Sequence, residues 1–228
     1  MKRVFVVSLG GSLIVPDDVD SIFLRKFKKT ILSNIKNSKF VIVCGGGSVA
    51  RKYINSLKAE GLNEKMQNFI GISATRTNAR FMSYFFNKNQ AYGIPHTLRE
   101  VEKQLKKEDL VFCGALEYKP RQTSDSTAAE IAAHLKSTFI NLTNVPGLYN
   151  KNPKEHRDAK FIPTITWAQF HSMANKLGFK PGQHFVLDQT AAKMILKHKT
   201  QTYILGQDLR QLENVLHGHA FKGTLVKG

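Results

Sequence analysis

Apolar residues along the chain form short unbroken runs that alternate with stretches of helical spacing. Residues 4–9, 40–44, 110–113 and 138–142 are each mostly apolar and too short for helices, so they read as buried strands. Three of these runs stop at glycines: Gly10-Gly11, Gly45-Gly46-Gly47 and Gly114. Residues 22–35 place Ile22, Phe23, Phe27, Ile31, Leu32 and Ile35 on one helical face. Helices are also predicted over 48–60, 78–86, 99–106, 125–136, 167–177, 188–197 and 209–216. Residues 90–97 read as extended, and 202–205 and 224–227 as strands. A long loop after residue 142 carries Pro146, Gly147, Pro153 and Pro163.

Strands apolar on both faces, alternating with helices, predict an α/β fold: a three-layer α/β/α sandwich with a mainly parallel central sheet. In such sheets ligands sit beyond the carboxyl ends of the strands. The clustering of glycines there is the sequence's strongest pointer to a site.

The chain has 228 residues, 42% of them hydrophobic, enough for one sizeable core. It has no repeat, no linker and no run of about 20 apolar residues that would span a membrane. The apolar run at the N-terminus is too short for a signal peptide and leads straight into Gly10-Gly11. Cys44 and Cys113 each end an apolar run, which reads as two buried thiols in a reducing, cytoplasmic setting rather than a disulfide. No His/Cys spacing resembles a zinc site. The formal net charge is +17, but the basic residues are spread over predicted helix faces. Charge therefore supports an anionic ligand, with nucleotides ahead of nucleic acid, which ranks last.

A glycine loop after a strand lets backbone N–H groups approach a phosphate, and a helix start behind it adds a positive dipole end. Gly10-Gly11-Ser12 and Gly45-Gly46-Gly47-Ser48 both fit; each alone is equally readable as a tight turn. Neither is a Walker A sequence or a G-x-G-x-x-G dinucleotide loop. Arg51, one turn into the following helix, is placed to fork onto a phosphate, or is a surface arginine beside Lys52. Thr123-Ser124-Asp125 is first an N-cap cluster, and it offers hydroxyls and one carboxylate to a site. Lys193 follows the small residues Ala191-Ala192 on a predicted helix; spacing alone makes it a solvent-exposed lysine.

In order, Val7-Ser8-Leu9-Gly10-Gly11-Ser12, Cys44-Gly45-Gly46-Gly47-Ser48-Val49-Ala50-Arg51, Ile70-Gly71-Ile72-Ser73-Ala74-Thr75-Arg76-Thr77-Asn78-Ala79, Thr123-Ser124-Asp125, Thr143-Asn144-Val145-Pro146-Gly147-Leu148-Tyr149 and Asp188-Gln189-Thr190-Ala191-Ala192-Lys193 resemble the amino acid kinase superfamily, most closely its archaeal-type UMP kinases. The resemblance spans essentially the whole chain. It implies one domain, with residues 1–137 as an acceptor-binding lobe and 138–228 as an ATP-binding lobe, transferring the γ-phosphoryl of ATP to UMP with Mg2+ carried by the nucleotide. It implies ATP contacts at Gly10, Gly11, Ser12, Thr143, Asn144, Tyr149, Asn152 and Pro153, with Tyr149 against the base. Acceptor contacts fall on Gly46, Gly47, Arg51, Asn68 and Thr123. Asp125 becomes an organiser and Lys193 the neutraliser of charge on the transferred phosphoryl. It also implies a homohexamer, a trimer of dimers. The chain departs from the family pattern at Ser8, where many members have lysine. Asn68, Pro146 and Asn152 each replace a usual Asp. Two other readings stay open: a sister kinase acting on another small phosphorylated or carboxylate acceptor, and a diverged nucleotide- or oxyanion-binding sensor.

Overall fold

The protein is described from a computed structural model, which covers residues 2–88, 93–120, 122–153, 155–176 and 186–228. The strands are β1 (Arg3–Leu9), β2 (Ser38–Cys44), β3 (Leu110–Cys113), β4 (Thr138–Leu142), β5 (Leu148–Tyr149), β6 (Phe161–Ile162), β7 (Thr164–Ile165), β8 (Thr202–Leu205) and β9 (Thr224–Val226). The helices are α1 (Gly11–Ile14), α2 (Ser21–Asn34), α3 (Gly47–Ala59), α4 (Glu64–Phe85), α5 (Leu98–Lys107), α6 (Ser124–His134), α7 (Trp167–Lys176), α8 (Gln189–His198) and α9 (Leu209–His217).

Seven strands form one sheet in the order β3-β2-β1-β4-β8-β9-β7. All neighbours are parallel except β8 and β9, so the expected mainly parallel α/β architecture holds. The central strands are apolar because helices cover both faces: Val6, Val7, Leu9, Val41, Ile42, Phe112 and Ile140 are fully buried. Phe27, Phe40, Phe112, Phe139 and Phe170 are among the largest fully buried side chains of the core. The chain lays down β1, β2 and β3 in one direction, then returns to place β4 on the other side of β1. That reversal opens a crevice at the carboxyl ends of β1 and β4, the place where open parallel sheets bind ligands.

Most boundaries agree with the sequence pattern to within one or two residues. The largest difference is α4, expected over 78–86 and found over Glu64–Phe85. The part before residue 78 is rich in poor helix formers, with Gly71 and the β-branched Ile70, Ile72, Thr75 and Thr77. The Asn63 side chain caps it by accepting from Met66 N at 3.1 Å, and packing on α3 completes the stabilisation. Gly71 lets α3 come close: a Cβ there would lie 3.2 Å from Ile54 Cδ1. Residues 93–97 carry no strand, and the rest of the expected 90–97 extension lies outside the described residues, as does Leu177 of the expected 167–177 helix. The expected loop after residue 142 contains the small antiparallel β5–β6 pair, clipped by Thr224, whose hydroxyl donates to Ile162 O at 2.6 Å and accepts from Leu148 N at 2.8 Å.

Candidate active site

Because β1, β2 and β3 run parallel and side by side, their glycine tips share one edge of the sheet. The first two meet in backbone contact. A Cβ on Gly11 would stand 2.0 Å from Gly47 N, and one on Gly45 would stand 2.4 Å from Gly11 N. Gly47 has φ +63°, the left-handed conformation that favours glycine, and so turns the chain directly into α3. Ser48 N donates to Val15 O at 3.0 Å and Gly45 N to Leu9 O at 2.9 Å, so the two loops are stitched as well as packed. Asn78, buried on α4, donates from Nδ2 to Gly45 O at 2.7 Å and braces the second loop from behind. Gly10, Gly11, Ser12 and Gly46 remain partly exposed, leaving this floor open toward solvent.

The third glycine, Gly114, lies against α4: its missing Cβ would be 2.6 Å from Arg76 N. Thr75 Oγ1 accepts from Ala115 N at 2.9 Å, and the Arg76 guanidinium donates to the Ala115 and Leu116 carbonyls at 3.1 and 2.5 Å. Desolvation at that clamp lowers the Arg76 pKa from its ordinary value. Asn68 stands two turns before Thr75, on the same face of α4, and is partly buried.

At the N-terminus of α6, Thr123 is the N-cap of a capping box with Ser126. Its hydroxyl accepts from Asp125 N at 3.1 Å and Ser126 N at 3.3 Å, and donates to Asp188 Oδ2 at 2.5 Å. Asp188 is in turn the N-cap of α8, its Oδ1 accepting from Ala191 N at 2.9 Å. Asn141, buried in β4, donates to Val186 O at 2.7 Å and fixes the chain just before that cap. Asp125 Oδ1 accepts from the hydroxyl of fully buried Ser8 in β1 at 2.6 Å. Desolvation, with the Asp188 charge nearby, pushes Asp125 up to about 6 against the opposing Ser8 hydrogen bond. The carboxyl is packed deeply among protein atoms although the residue keeps a partly exposed flank, so solvent softens that shift.

Thr143 follows β4, its Cα 3.9 Å from where a Gly10 Cβ would lie; Asn144 beside it is exposed. The Tyr149 ring packs edge-on to Phe161 with centroids 5.3 Å apart and stays partly accessible. Asn152 O accepts from Glu155 N and His156 N, making a turn with exposed Pro153 next to it. Arg51 is exposed on α3 and donates a long 3.3 Å hydrogen bond to Pro16 O. Lys193 is exposed on α8, five residues past the Asp188 cap. Cys44 and Cys113 are buried free thiols, as expected, and burial pushes Cys113 up to about 12.

The sequence did not single out Ser8, Asn78, Asn141 or Asp188 for these contacts. Asp188 carried one usable signal, an acidic N-cap ahead of a helix. Ser8 and Asn141 sit inside apolar strands, and only the third dimension reveals their partners. Asp125 and Asp188 sit close enough to interact electrostatically.

Two glycine loops touching across the carboxyl edge of a parallel sheet, with helices starting behind them, define an α/β protein of the open-sheet class. The chain belongs to the amino acid kinase family, whose model matches residues 3–206. It is similar to the uridylate kinase of Archaeoglobus fulgidus, 34% identical over 222 residues that cover 97% of this chain and 96% of that one. The Thermoplasma volcanium uridylate kinase is 33% identical over 219 residues, covering 96% and 95%. The crystal structure of the Archaeoglobus fulgidus uridylate kinase matches with a TM-score of 0.84 and 32% identity, covering 99% of this chain and all of that one.

Proposed function

We propose that the chain is an ATP-dependent nucleoside monophosphate kinase that transfers the γ-phosphoryl of ATP to UMP, giving UDP for pyrimidine nucleotide biosynthesis. One observation carries this reading: the Gly11–Gly47 backbone contact, which joins the two phosphate-type loops in one crevice. Similarity over nearly the whole chain to proteins named uridylate kinase supports the choice of acceptor.

In-line phosphoryl transfer asks little covalent help of a protein; positioning and charge neutralisation dominate. Gly10, Gly11 and Ser12 present backbone to the ATP phosphates, and Thr143, Asn144, Tyr149, Asn152 and Pro153 border the adenosine. Gly46, Gly47 and Arg51 hold the acceptor phosphate, with Asn68 toward the nucleoside and the Thr123 segment opposite. Lys193 neutralises charge on the transferred group. Asp125 organises rather than deprotonates, because a phosphate acceptor is already ionised. Residues 1–137 form the acceptor lobe and 138–228 the ATP lobe.

No group of three His, Cys, Asp or Glu that could hold a metal occurs among the described residues. Mg2+ would arrive on ATP, and Asp125, one oxygen of which already accepts from Ser8, is the carboxylate that would offer it a hard oxygen donor. Such a cation would offset charge on the bridging phosphate oxygens. Among the described residues no helix is long and apolar enough to cross a membrane. A cytoplasmic homohexamer, a trimer of dimers, completes the proposal.

Coupled ADP release with Mg-ATP against UMP, CMP, dTMP and small carboxylic acids tests it. Turnover with UMP well above the others is expected. Turnover confined to a non-nucleotide, or none with any acceptor from folded protein, would overturn it.

A further inference from the structure

We infer that Asp188 is a positioning residue that locks the acceptor-side helix start to the helix bearing Lys193, using Thr123 as its counterpart. The inference rests on the kinase reading above. The Thr123 hydroxyl has one proton and two lone pairs. The proton goes to Asp188 Oδ2 at 2.5 Å, and the oxygen accepts from Asp125 N and Ser126 N. The Thr123 backbone N–H is also committed, to Ser126 Oγ at 2.7 Å. With its one proton directed to Asp188 and its oxygen already accepting twice, Thr123 therefore has no donor left to offer an acceptor phosphate. What it can do is hold position.

The carboxylate of Asp188 divides its work between two helices: Oδ2 holds the N-cap of α6, and Oδ1 caps α8 at Ala191 N. One rigid group thus sets two helix starts against each other, and α6 and α8 pack together along their length. The α6 start carries Asp125, tied by Ser8 to the base of the Gly10-Gly11 loop; α8 carries Lys193. Asn141 in β4 holds the Val186 carbonyl two residues before Asp188, so the segment leading into the lock is anchored in the sheet. Each substrate would meet its own side of the site. Misalignment of the two sides is felt only when both must act together, in the transition state.

Asp188→Asn tests this, because Asn is an equally good N-cap but turns the ionised acceptor facing Thr123 into an amide. In protein whose wild type turns over UMP, the variant should lose kcat about tenfold or more, while the KM values for UMP and ATP stay within about twofold. Thr123→Val should give the same pattern, and the double variant should be no slower than the slower single, as coupled groups require. Thr123→Ser should restore kcat to within about threefold of wild type, since the hydroxyl returns. Separate titrations of UMP and ATP by calorimetry give a readout independent of turnover. Unchanged kcat in Asp188→Asn would overturn the lock. So would a raised UMP KM in Thr123→Val that Asp188→Asn does not share, which would make Thr123 a direct phosphate ligand. Loss of kcat that is fully additive in the double variant would also overturn it. A wild type inactive on every acceptor would instead sink the kinase reading, and thermal unfolding would still test the lock: equal losses of Tm from Asp188→Asn and Thr123→Val that do not add in the double variant support it, and additive losses overturn it.

Discussion

The Cβ that Gly11 lacks would fall 2.0 Å from the backbone nitrogen of Gly47, a separation no two such atoms can adopt. Gly45 and Gly47 are confined in the same way, so the loops owe their approach to the absence of side chains on both sides of the contact. Gly11→Ala should force them apart by an ångström or more. Overpacking of this kind costs about 1–3 kcal/mol. Because both phosphate loops move, KM should rise for ATP and for UMP together, which steady-state kinetics and thermal unfolding can measure side by side. A variant with normal KM values for both would show that the loops are not a shared floor.

Arg51 tests one side of that floor alone. Its guanidinium makes a long hydrogen bond to Pro16 O and the residue is exposed, so it is available to an incoming anion. A charge-assisted hydrogen bond is worth about 1.5–3 kcal/mol, or roughly 10- to 100-fold in affinity. Arg51→Ala should raise the UMP KM by that factor and leave ATP affinity and thermal stability nearly unchanged. An unchanged UMP KM would remove Arg51 from the site.

How far the sequence exposes this site depends on where each contact originates. Gly10-Gly11 and Gly45-Gly46-Gly47 were legible because glycine at a strand tip is a local signal, and parallel pairing then forces neighbouring tips onto one edge. The α4 helix was half hidden because Gly71 and its β-branched neighbours suppress helical periodicity that packing against α3 restores. Asp188 was legible only as the start of a helix, and its partnership with Thr123 was not, since the two lie 65 residues apart. Ser8 looked like one polar residue in a buried strand; its bond to Asp125 spans 117 residues. Local chemistry could be read in one dimension, and pairing between distant elements could not.

Asp125 makes a prediction about pH. A carboxyl raised from 3.8 to about 6 binds its proton more tightly folded than unfolded. Its contribution to stability is therefore greatest below the unfolded pKa and is lost as pH rises through about 4 to about 6, with no further change above. A shift of that size corresponds to about 3 kcal/mol in full burial, reduced to about 1–2 kcal/mol here by solvent at the exposed flank. Asp125→Asn keeps an acceptor for Ser8 and removes the charge. It should be more stable than wild type at pH 7.5 by that amount and equal to it near pH 4. Denaturant unfolding at the two pH values gives the comparison, and a difference that stays constant with pH would contradict the raised pKa. The same variant should lose kcat, because stability and organisation of the site oppose each other at this residue.

Lys193 separates catalysis from folding most sharply. It is exposed on α8 among the buried Ala191, Ala192 and Ile195, so its side chain contributes little to the core. Lys193→Met preserves helix propensity and length, and an exposed change of this kind alters stability by less than about 0.5 kcal/mol. If its ammonium meets negative charge that builds up only as the phosphoryl is transferred, kcat should fall about 100-fold or more while both KM values hold. Raised ATP KM at constant kcat would assign Lys193 to ground-state binding. No change in either would return it to the solvent-exposed role that spacing alone suggests. The Asp188 cap sets where this lysine points, so its loss and the loss of Asp188 should not add.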